Sequence, residues 1–594
     1  MTLRNLFSFA FLQGIIWTLA CTGFFYVNGI PKGNIHFLFA CIFLIGHTFV
    51  FAWILLLFGL LGRLIGKRTA QFFIITAGSA GSLFLAVDWV VFSQYRFHIG
   101  LAMLSLFFGP ASREIFVFSK GMWLLTLLGT VLIIGLEIGL GKWAKKITFS
   151  RKKILTIFII WLLFFSLYNG LYAWGKFTLN PAIMSQRKIL PYAYPLSANR
   201  RLSKWGFSPQ KNPYAFSSNG TLNYPTAPLT CTLTAPKNVL IITVDSWRAD
   251  MLSADTMPRL TQWTRQNGMH VFENHFSGGN STPGGIFSLF YSMPHSYWDN
   301  MTGVSPVLLR QALQNGYLPA IFASSKLNSP AFDKNIFSDI ENLRIGSAGD
   351  TSWQRDIDAV TGFENFIQAM PQDKNFFGFI FLDAPHAYEY PPQDKKFTPA
   401  KPINYLLLTN KTDPTPFLNQ YKNAVYFTDG LIARILQFLQ DRHLLQNTWV
   451  IITGDHGQEL NDSHHNFWGH NSNFTDYQTK VPLILYTGQN TAPRTVSYRT
   501  THYDVAPTLL ETIFGCTNPP EEYGLGFSLF NPAPRPFILF SDFTARAVRI
   551  RDTITVFPHF GTIEYYDASF NPPDQVPPME EISNALQAFN RFYK

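Results

Sequence analysis

Five long apolar segments within the first 178 residues constrain the fold more than any other feature of this chain. They span about residues 6–28, 36–62, 71–95, 121–140 and 154–175. Each reaches or exceeds the roughly 20 residues that an α-helix needs to cross the hydrocarbon core of a bilayer. The first is too long, and is followed by too many others, to be a cleaved signal peptide. We therefore predict a five-helix transmembrane domain over residues 1–178.

The distribution of charge sets the expected orientation of that domain. Residues 1–178 carry 15 Lys and Arg against 3 Asp and Glu, so the basic surplus lies in the apolar part of the chain. The loops after the second and fourth segments are the densest in Lys and Arg, which places them in the cytoplasm by the positive-inside rule. Five crossings then put residues 179–594 outside the cytoplasm. We expect no nucleic-acid partner, because such a protein would carry its basic patch on the folded domain.

The rest of the chain divides by composition into a linker and two folded parts. Residues 179–236 are rich in Pro, Asn, Ser and Tyr and are predicted to form a juxtamembrane linker. Over residues 237–540, β-branched apolar runs alternate with helical segments, which is typical of an α/β domain with a mostly parallel central sheet. Residues 541–594 begin with alternating apolar and polar side chains and predict a small C-terminal antiparallel sheet.

Polar side chains follow three of the predicted strands. Asp245 comes directly after NVLIITV, His386 lies just beyond NFFGFIFL, and Asp455 with His456 comes after NTWVIITG. In open α/β sheets, ligands bind beyond the carboxyl ends of the strands. We therefore expect these side chains to share one site at that edge of the sheet.

A glycine-rich turn supplies a hydroxyl to the same site. HFSGGNSTPGGIFSLF places Ser281 and Thr282 at the start of an apolar helix, where free N–H groups attract an anion. One of these hydroxyls, with Asp245, Asp455 and His456, gives three oxygen ligands and one nitrogen ligand. We expect one divalent metal, Zn²⁺, Mn²⁺ or Mg²⁺, which would activate the hydroxyl by lowering its pKa. The pattern predicts chemistry on a phosphate or sulfate ester.

Five short motifs carry a family resemblance. VDSWRADM, GGNSTPGG, GDHGQE, WGHNSNF and HYDVAPTLLE, in this order over about residues 237–530, resemble the alkaline phosphatase/sulfatase superfamily. Together with the five apolar segments and the linker sequence PYAYPLSANRRLSKWGF, they make the whole chain similar to the YejM (PbgA) family of inner-membrane proteins. The resemblance implies five transmembrane helices and a sulfatase-like domain in the periplasm.

The resemblance also assigns roles to residues. It implies that Thr282 is the nucleophile, whereas counting from Pro283, as in the Cys-x-Pro pattern of true sulfatases, favours Ser281. No Cys stands at this turn, so the sulfatase reaction itself is not expected. The implied metal ligands are Asp245, Thr282, Asp455 and His456, and the predicted substrate-binding residues are His386, His470 and Asn280.

The function that the resemblance implies is regulatory. The YejM family senses lipopolysaccharide in the inner membrane and restrains its synthesis through a membrane adaptor on the cytoplasmic side that controls turnover of LpxC. Arg200 and Arg201 match the arginine pair that contacts the lipid A phosphate, or another anionic phospholipid. The best-known members look degraded at the Asp-His motif, whereas GDHGQE is intact here, which favours a retained metal and a phosphatase-type activity.

Two other readings share this architecture. A phosphoethanolamine or phosphoglycerol-type transferase, or a phosphohydrolase acting on membrane lipids, has five spans and a threonine nucleophile, but such transferases usually carry several disulfides. A lipoteichoic-acid-type polymerase is disfavoured by the lipopolysaccharide-linked linker. Only Cys231 and Cys516 lie outside the membrane segments, and the sequence leaves open whether they pair.

Overall fold

The N-terminal part of the chain is a bundle of long apolar helices. A computed structural model describes residues 1–109, 112, 118–208, 221–489, 492–558 and 563–593. Among these residues, five helices are long and apolar enough to cross a membrane, which confirms the predicted five-helix domain. They are α1 (Leu3–Asn28), α2 (Asn34–Ile65), α3 (Lys67–Tyr95), α5 (Lys120–Ala144) and α6 (Arg151–Phe177), and a short helix, α4 (Leu101–Phe107), lies between α3 and α5.

Glycines bring the helices of the bundle close together. A Cβ atom at Gly46 of α2 would lie 2.6 Å from the Tyr168 ring of α6, so only a glycine permits this approach. Gly141, near the end of α5, packs in the same way against Ile75 of α3. Close contact of this kind is a main source of attraction between helices in lipid, where burial of apolar surface adds little.

Two short helices lead from the bundle to the globular domain (residues 221–593). They are α7 (Pro181–Met184) and α8 (Asn199–Lys204). Beyond them, Cys231 forms a disulfide with Cys516, which answers the question that the sequence left open. The disulfide ties the start of the globular domain to Cys516, which lies in one of its apolar cores.

The globular domain is built on a seven-stranded sheet. Its strands are β1 (Asn238–Val244), β2 (His270–Phe272), β4 (Leu318–Ala323), β5 (Phe376–Leu382), β6 (Thr448–Gly454), β9 (Leu483–Tyr486) and β10 (Arg494–Val496). Their order in the sheet is β10-β2-β9-β6-β1-β5-β4. β9 is antiparallel to its two neighbours, and the other pairs are parallel.

Helices cover both faces of this sheet. β1, β5 and β6 are buried along their whole length, as apolar runs in a doubly covered sheet require. One apolar core lies on each face. The described helices of the globular domain are α9 (Pro258–Gln266), α10 (Thr282–Tyr291), α11 (Val307–Gln314), α12 (Ser352–Ala369), α13 (Ala384–Ala387), α14 (Thr415–Asp441), α15 (Asp476–Thr479), α16 (Val505–Thr512) and α17 (Met579–Ala588), of which α17 packs on the C-terminal sheet instead.

The C-terminal end of the chain forms a four-stranded antiparallel sheet, so the predicted fold class is confirmed. Its strands are β12 (Ile538–Ser541), β13 (Ala545–Ile550), β14 (Thr553–Pro558) and β15 (Glu564–Tyr566). Two small two-stranded pairs complete the fold, and they join β3 (His275–Phe276) to β11 (Thr500–Thr501) and β7 (Glu459–Leu460) to β8 (Trp468–Gly469).

Candidate active site

Three aspartates meet at the carboxyl end of the central sheet because the strands that carry them are in register. Val244, the last residue of β1, pairs with Leu382 of β5 on one side and with Gly454 of β6 on the other. The next residue of each strand is an acid, so Asp245, Asp383 and Asp455 lie side by side. The three carboxylates are almost completely buried. This is the edge of the sheet at which the sequence predicts the site.

The glycine-rich turn brings a hydroxyl to these acids. Ser281 is the N-cap of α10, and its Oγ accepts a hydrogen bond from the Gly284 N–H at 3.3 Å. Thr282 points the other way, with Oγ1 3.4 Å from Asp245 Oδ2 and 3.3 Å from His456 Nε2. Gly285 permits this close packing, because a Cβ there would lie 2.0 Å from the carbonyl oxygen of Asp455.

The donor atoms around Thr282 fit a divalent metal. Asp245, Asp455 and His456 each offer a ligand atom within 4.8 Å of the others. The Nδ1 atom of His456 lies 2.8 Å from the carbonyl oxygen of Gly457, so Nδ1 is the protonated nitrogen and the lone pair of Nε2 faces the acids. Asp455 Oδ2 is buried without a hydrogen-bond partner among the described residues. A buried carboxylate oxygen beside an unprotonated imidazole is what a cation of the Zn²⁺ or Mn²⁺ type requires.

The pKa values of Asp245 and Asp455 in this site are raised. Burial, together with the neighbouring charge of Asp455, raises the pKa of Asp245 to about 7. Burial also raises the pKa of Asp455 to about 7, against the opposing effect of its hydrogen bonds from backbone N–H groups. Without a cation, the pair therefore binds protons near neutral pH, and a bound divalent cation would take the place of those protons.

A second group beside the first contains a residue that the sequence analysis missed. Asp245, Asp383 and His386 also offer ligand atoms that lie close together. The Arg355 guanidinium binds Asp383 Oδ2 at 3.1 Å, and His386 Nδ1 lies 3.4 Å from Asp383 Oδ1. Burial lowers the pKa of His386, but the charges of Asp245 and Asp383 outweigh it and raise this pKa to about 9. Asp383 ends a buried strand just as Asp245 does, and that signal could have identified it.

The two remaining predicted site residues, His470 and Asn280, differ in their position relative to the site. His470 lies at the site, with its ring centroid 4.3 Å from that of His456 and 5.4 Å from that of His386. Its Nδ1 is 2.8 Å from Gln458 Oε1, and burial holds its pKa well below the ordinary value. Asn280 is buried behind the turn, where its amide donates to the Asn473 carbonyl at 2.8 Å, and it is not among the described residues that line the cavity of the site.

A single cavity of about 1320 Å³ joins this site to the membrane helices. Its polar end holds Asp245, Thr282, His386 and His470. Its other end is apolar, and it is lined by side chains of the membrane half. These are Leu83, Phe84, Val87 and Val91 of α3, Met103, Leu104 and Phe107 of α4, and Met122 of α5. The cavity therefore changes from polar to apolar along its length.

The two predicted lipid-binding arginines lie at the junction of the two halves. Arg200 and Arg201 are exposed on α8, and within the described part of the chain neither forms a salt bridge. Phe207, just after this helix, packs edge-on against Trp174 near the end of α6, with 5.6 Å between the ring centroids. The arginine pair thus stands beside the end of a membrane helix, apart from the metal site.

Comparison with known families covers most of the chain. Residues 237–515 match the Sulfatase family, and residues 2–231 match the Domain of unknown function (DUF3413). The inner membrane protein YejM of Salmonella typhimurium is 25% identical over 609 aligned residues, which cover 98% of this chain and 96% of that protein. The resemblance inferred from the motifs is therefore confirmed.

Two further similar proteins are transferases by name. Phosphatidylethanolamine transferase Mcr-1 from Escherichia coli is 25% identical over 295 residues, which are 46% of this chain and 53% of that protein. Among solved structures, the integral membrane protein lipooligosaccharide phosphoethanolamine transferase A (EptA) from Neisseria meningitidis matches with a TM-score of 0.50 at 15% identity. It covers 86% of this chain and 95% of that one. At this identity, the match shows a common fold.

Proposed function

Because the chain is similar to the YejM inner membrane proteins over nearly its whole length and carries a sulfatase-family domain, we propose that it cleaves or transfers a phosphate ester of a membrane lipid. The observation that carries this proposal is the cavity that runs from Thr282 to the apolar side chains of α3, α4 and α5. A lipid is the substrate class that needs a polar and an apolar end in one cavity. The relative named a phosphatidylethanolamine transferase supports this class.

The residues of the site have separate roles in ester cleavage. Asp245, Asp455, His456 and Thr282 would hold a divalent metal, which when bound makes a hydroxyl more acidic and stabilises negative charge on phosphate oxygens. Thr282 loses its hydroxyl proton to solvent water, Oγ1 attacks the phosphorus, and the bond from phosphorus to the leaving oxygen breaks. The phosphoryl group then rests on Thr282 until a water or an acceptor hydroxyl takes it.

The histidines act on the oxygens of the ester. The His386 imidazole lies 3.4 Å from Asp383 Oδ1, whose charge raises the pKa of the imidazole and favours its protonated form, and His386 is the acid that protonates the leaving oxygen. His470 is neutral because burial lowers its pKa, and its Nδ1–H donates to Gln458 Oε1, so its Nε2 carries a lone pair that can accept a hydrogen bond from the attacking water or acceptor hydroxyl. Both side chains line the cavity at its polar end.

We further propose that the protein lies in the inner membrane with its globular domain in the periplasm. The basic loops after α2 and α5 are at the end of the bundle away from the globular domain, as the positive-inside rule requires for this orientation. The Cys231–Cys516 disulfide belongs in an oxidising compartment such as the periplasm.

Hydrolysis and headgroup transfer by the full-length protein in detergent test the enzymatic proposal. We expect release of the headgroup from fluorescent phosphatidylethanolamine, loss of this activity with EDTA, and its recovery with Zn²⁺ or Mn²⁺. Thr282→Ala should abolish turnover. Ser281→Ala removes only the helix cap and should lower stability by about 1 kcal/mol while leaving the reaction in place. If Thr282→Ala has wild-type activity and Ser281→Ala has none, the assignment of the nucleophile is wrong.

A second candidate function rests on a different observation, the exposed arginine pair at the membrane junction. We propose that Arg200 and Arg201 bind the phosphates of lipid A, or of another anionic lipid, and so sense lipopolysaccharide. An Arg guanidinium matches a phosphate bidentately, and neither side chain has an acidic partner within the described residues. By the YejM resemblance, the readout would be LpxC turnover, passed to a cytoplasmic adaptor through the membrane helices.

Lipid binding by two double-arginine variants tests this second function. Arg200→Ala combined with Arg201→Ala should weaken binding of the full-length protein to lipid A vesicles by tenfold or more. Arg265→Ala combined with Arg442→Ala removes the same charge from the globular domain and is the matched control. Equal loss in both double variants would show a general charge effect, and it would remove the support for a site at this pair.

A further inference from the structure

The end of α3 is polar, and each of its last residues contacts the globular domain. The Ser93 carbonyl accepts a hydrogen bond from Asn466 Nδ2 at 3.1 Å, and Gln94 Nε2 donates to the Tyr405 carbonyl at 2.5 Å. Arg96, which follows the helix, donates to the His465 carbonyl at 2.8 Å. A membrane helix that only ended at the lipid headgroups would leave these polar groups to water.

Most of these contacts converge on one short segment of the globular domain. Residues 465–469 lead into and form β8, which pairs with β7 in register Glu459 with Gly469. The Arg96 guanidinium also lies 5.0 Å from the ring centroid of Phe467 in this segment. The end of α3 therefore packs on the β7–β8 pair rather than on the surface of the domain in general.

Tyr95 packs against the backbone of β8. Gly469 has φ +120°, a backbone conformation that residues with a side chain rarely adopt. A Cβ atom at this position would lie 3.2 Å from the Tyr95 hydroxyl oxygen. The Tyr95 ring thus occupies the space where a side chain of residue 469 would be. Tyr95 and Gly469 both line the cavity of the site.

The β7–β8 pair carries two residues of the candidate active site at its ends. Gln458 comes just before β7, and His470 comes directly after β8. These two residues hydrogen bond to each other at 2.8 Å, and the Gln458 amide also donates to the Tyr388 hydroxyl. A shift of β8 away from α3 would therefore move the His470 imidazole relative to His456.

We propose that the end of α3, chiefly through Tyr95, is a positioning element that holds β8 and with it His470 in the active site, so that a membrane helix controls the geometry of the reaction centre. This inference rests on the proposed function in one respect, which is that His470 acts on the substrate. Tyr95 is a positioning residue in this proposal and acts through His470. Lipids or partners that move α3 within the bilayer would change turnover by the same route.

A double-mutant cycle on the full-length protein in detergent tests the proposal, with p-nitrophenyl phosphate as the soluble probe. Tyr95→Ala is expected to lower kcat/KM by tenfold or more, because small misplacements of a reacting group have effects of that size. In a His470→Ala background, the same change is expected to have no further effect. Tyr95→Phe retains the ring against Gly469 and should keep most of the activity. Tyr26→Ala changes a tyrosine of α1 that is 81% exposed and is the matched control.

Hydrogen exchange of the same variants gives a readout that does not need turnover. Tyr95→Ala should speed amide exchange over residues 465–471, whereas Tyr26→Ala should leave it unchanged. Unchanged exchange in Tyr95→Ala, or an equal loss of kcat/KM with and without His470, would overturn the proposal. If the wild type and Thr282→Ala are equally inactive, the proposed function fails, and the exchange data then decide alone whether α3 positions β8.

Discussion

Removal of the metal should make the stability of this protein fall as the pH rises. Asp245 and Asp455 have pKa values raised to about 7, chiefly by burial, whereas an unfolded Asp titrates at about 3.9. Between these two values the native state holds a proton that the unfolded chain has released. By linkage, the free energy of unfolding then decreases with increasing pH across this window and is constant above it.

The size of the effect follows from the pKa shift. Each pH unit within the window changes the free energy of unfolding by about 1.4 kcal/mol for one retained proton. From pH 5 to pH 7 the loss is therefore about 2.7 kcal/mol for one proton held by the pair. With about 2.1 cal/mol/K of unfolding entropy per residue over roughly 400 residues of the globular part, this equals a decrease in Tm of about 3 °C. His386, with its pKa raised to about 9, adds a loss of the same sign above pH 6.5.

Thermal unfolding of the detergent-solubilised protein in EDTA, followed by tryptophan fluorescence between pH 5 and pH 8, measures this slope. The control variant carries Asp245→Asn with Asp455→Asn, whose amides do not titrate, and its Tm should depend less on pH. Saturating Zn²⁺ or Mn²⁺ should remove most of the slope from the wild type, because the cation replaces the proton. Equal slopes for the wild type and the control variant in EDTA would refute this account of the site.

Three further predictions concern the packing and the orientation of the chain. Cys231→Ser opens a disulfide that spans 285 residues and should lower the free energy of unfolding by about 2–5 kcal/mol, seen as a lower Tm under non-reducing conditions. Gly285→Ala places a Cβ 2.0 Å from the Asp455 carbonyl oxygen, so the turn must shift, and a variant with the wild-type metal content would contradict this packing. An impermeant maleimide, applied after the outer membrane is opened, should label Arg265→Cys and not Lys146→Cys, and the reverse pattern would refute the proposed orientation.

Much of this site could be predicted because its residues are tied to strand ends. Asp245 and Asp455 each follow an apolar run long enough to identify a buried strand, and parallel strands bring their carboxyl ends to one edge. Thr282 stands at the start of an apolar helix after a run of small residues, which is also a local pattern. Which of Ser281 and Thr282 faces the acids could not be predicted from the local sequence. It depends on which hydroxyl faces Asp245 across the fold, and the structure turns Thr282 towards the acids while Ser281 caps α10.

The sequence by itself determined the membrane half, the class of the globular domain and the strand-end acids, because apolar length and strand periodicity are properties of neighbouring residues. Only the tertiary structure decided that Arg355 binds Asp383 across 28 residues of chain and that Cys231 pairs with Cys516. It also decided that Tyr95, which in the sequence is the last residue of an ordinary apolar segment, lies against Gly469 in the wall of the site. The physical reason is that each of these contacts joins residues far apart in the chain, and their meeting depends on how strands, helices and the membrane bundle pack together.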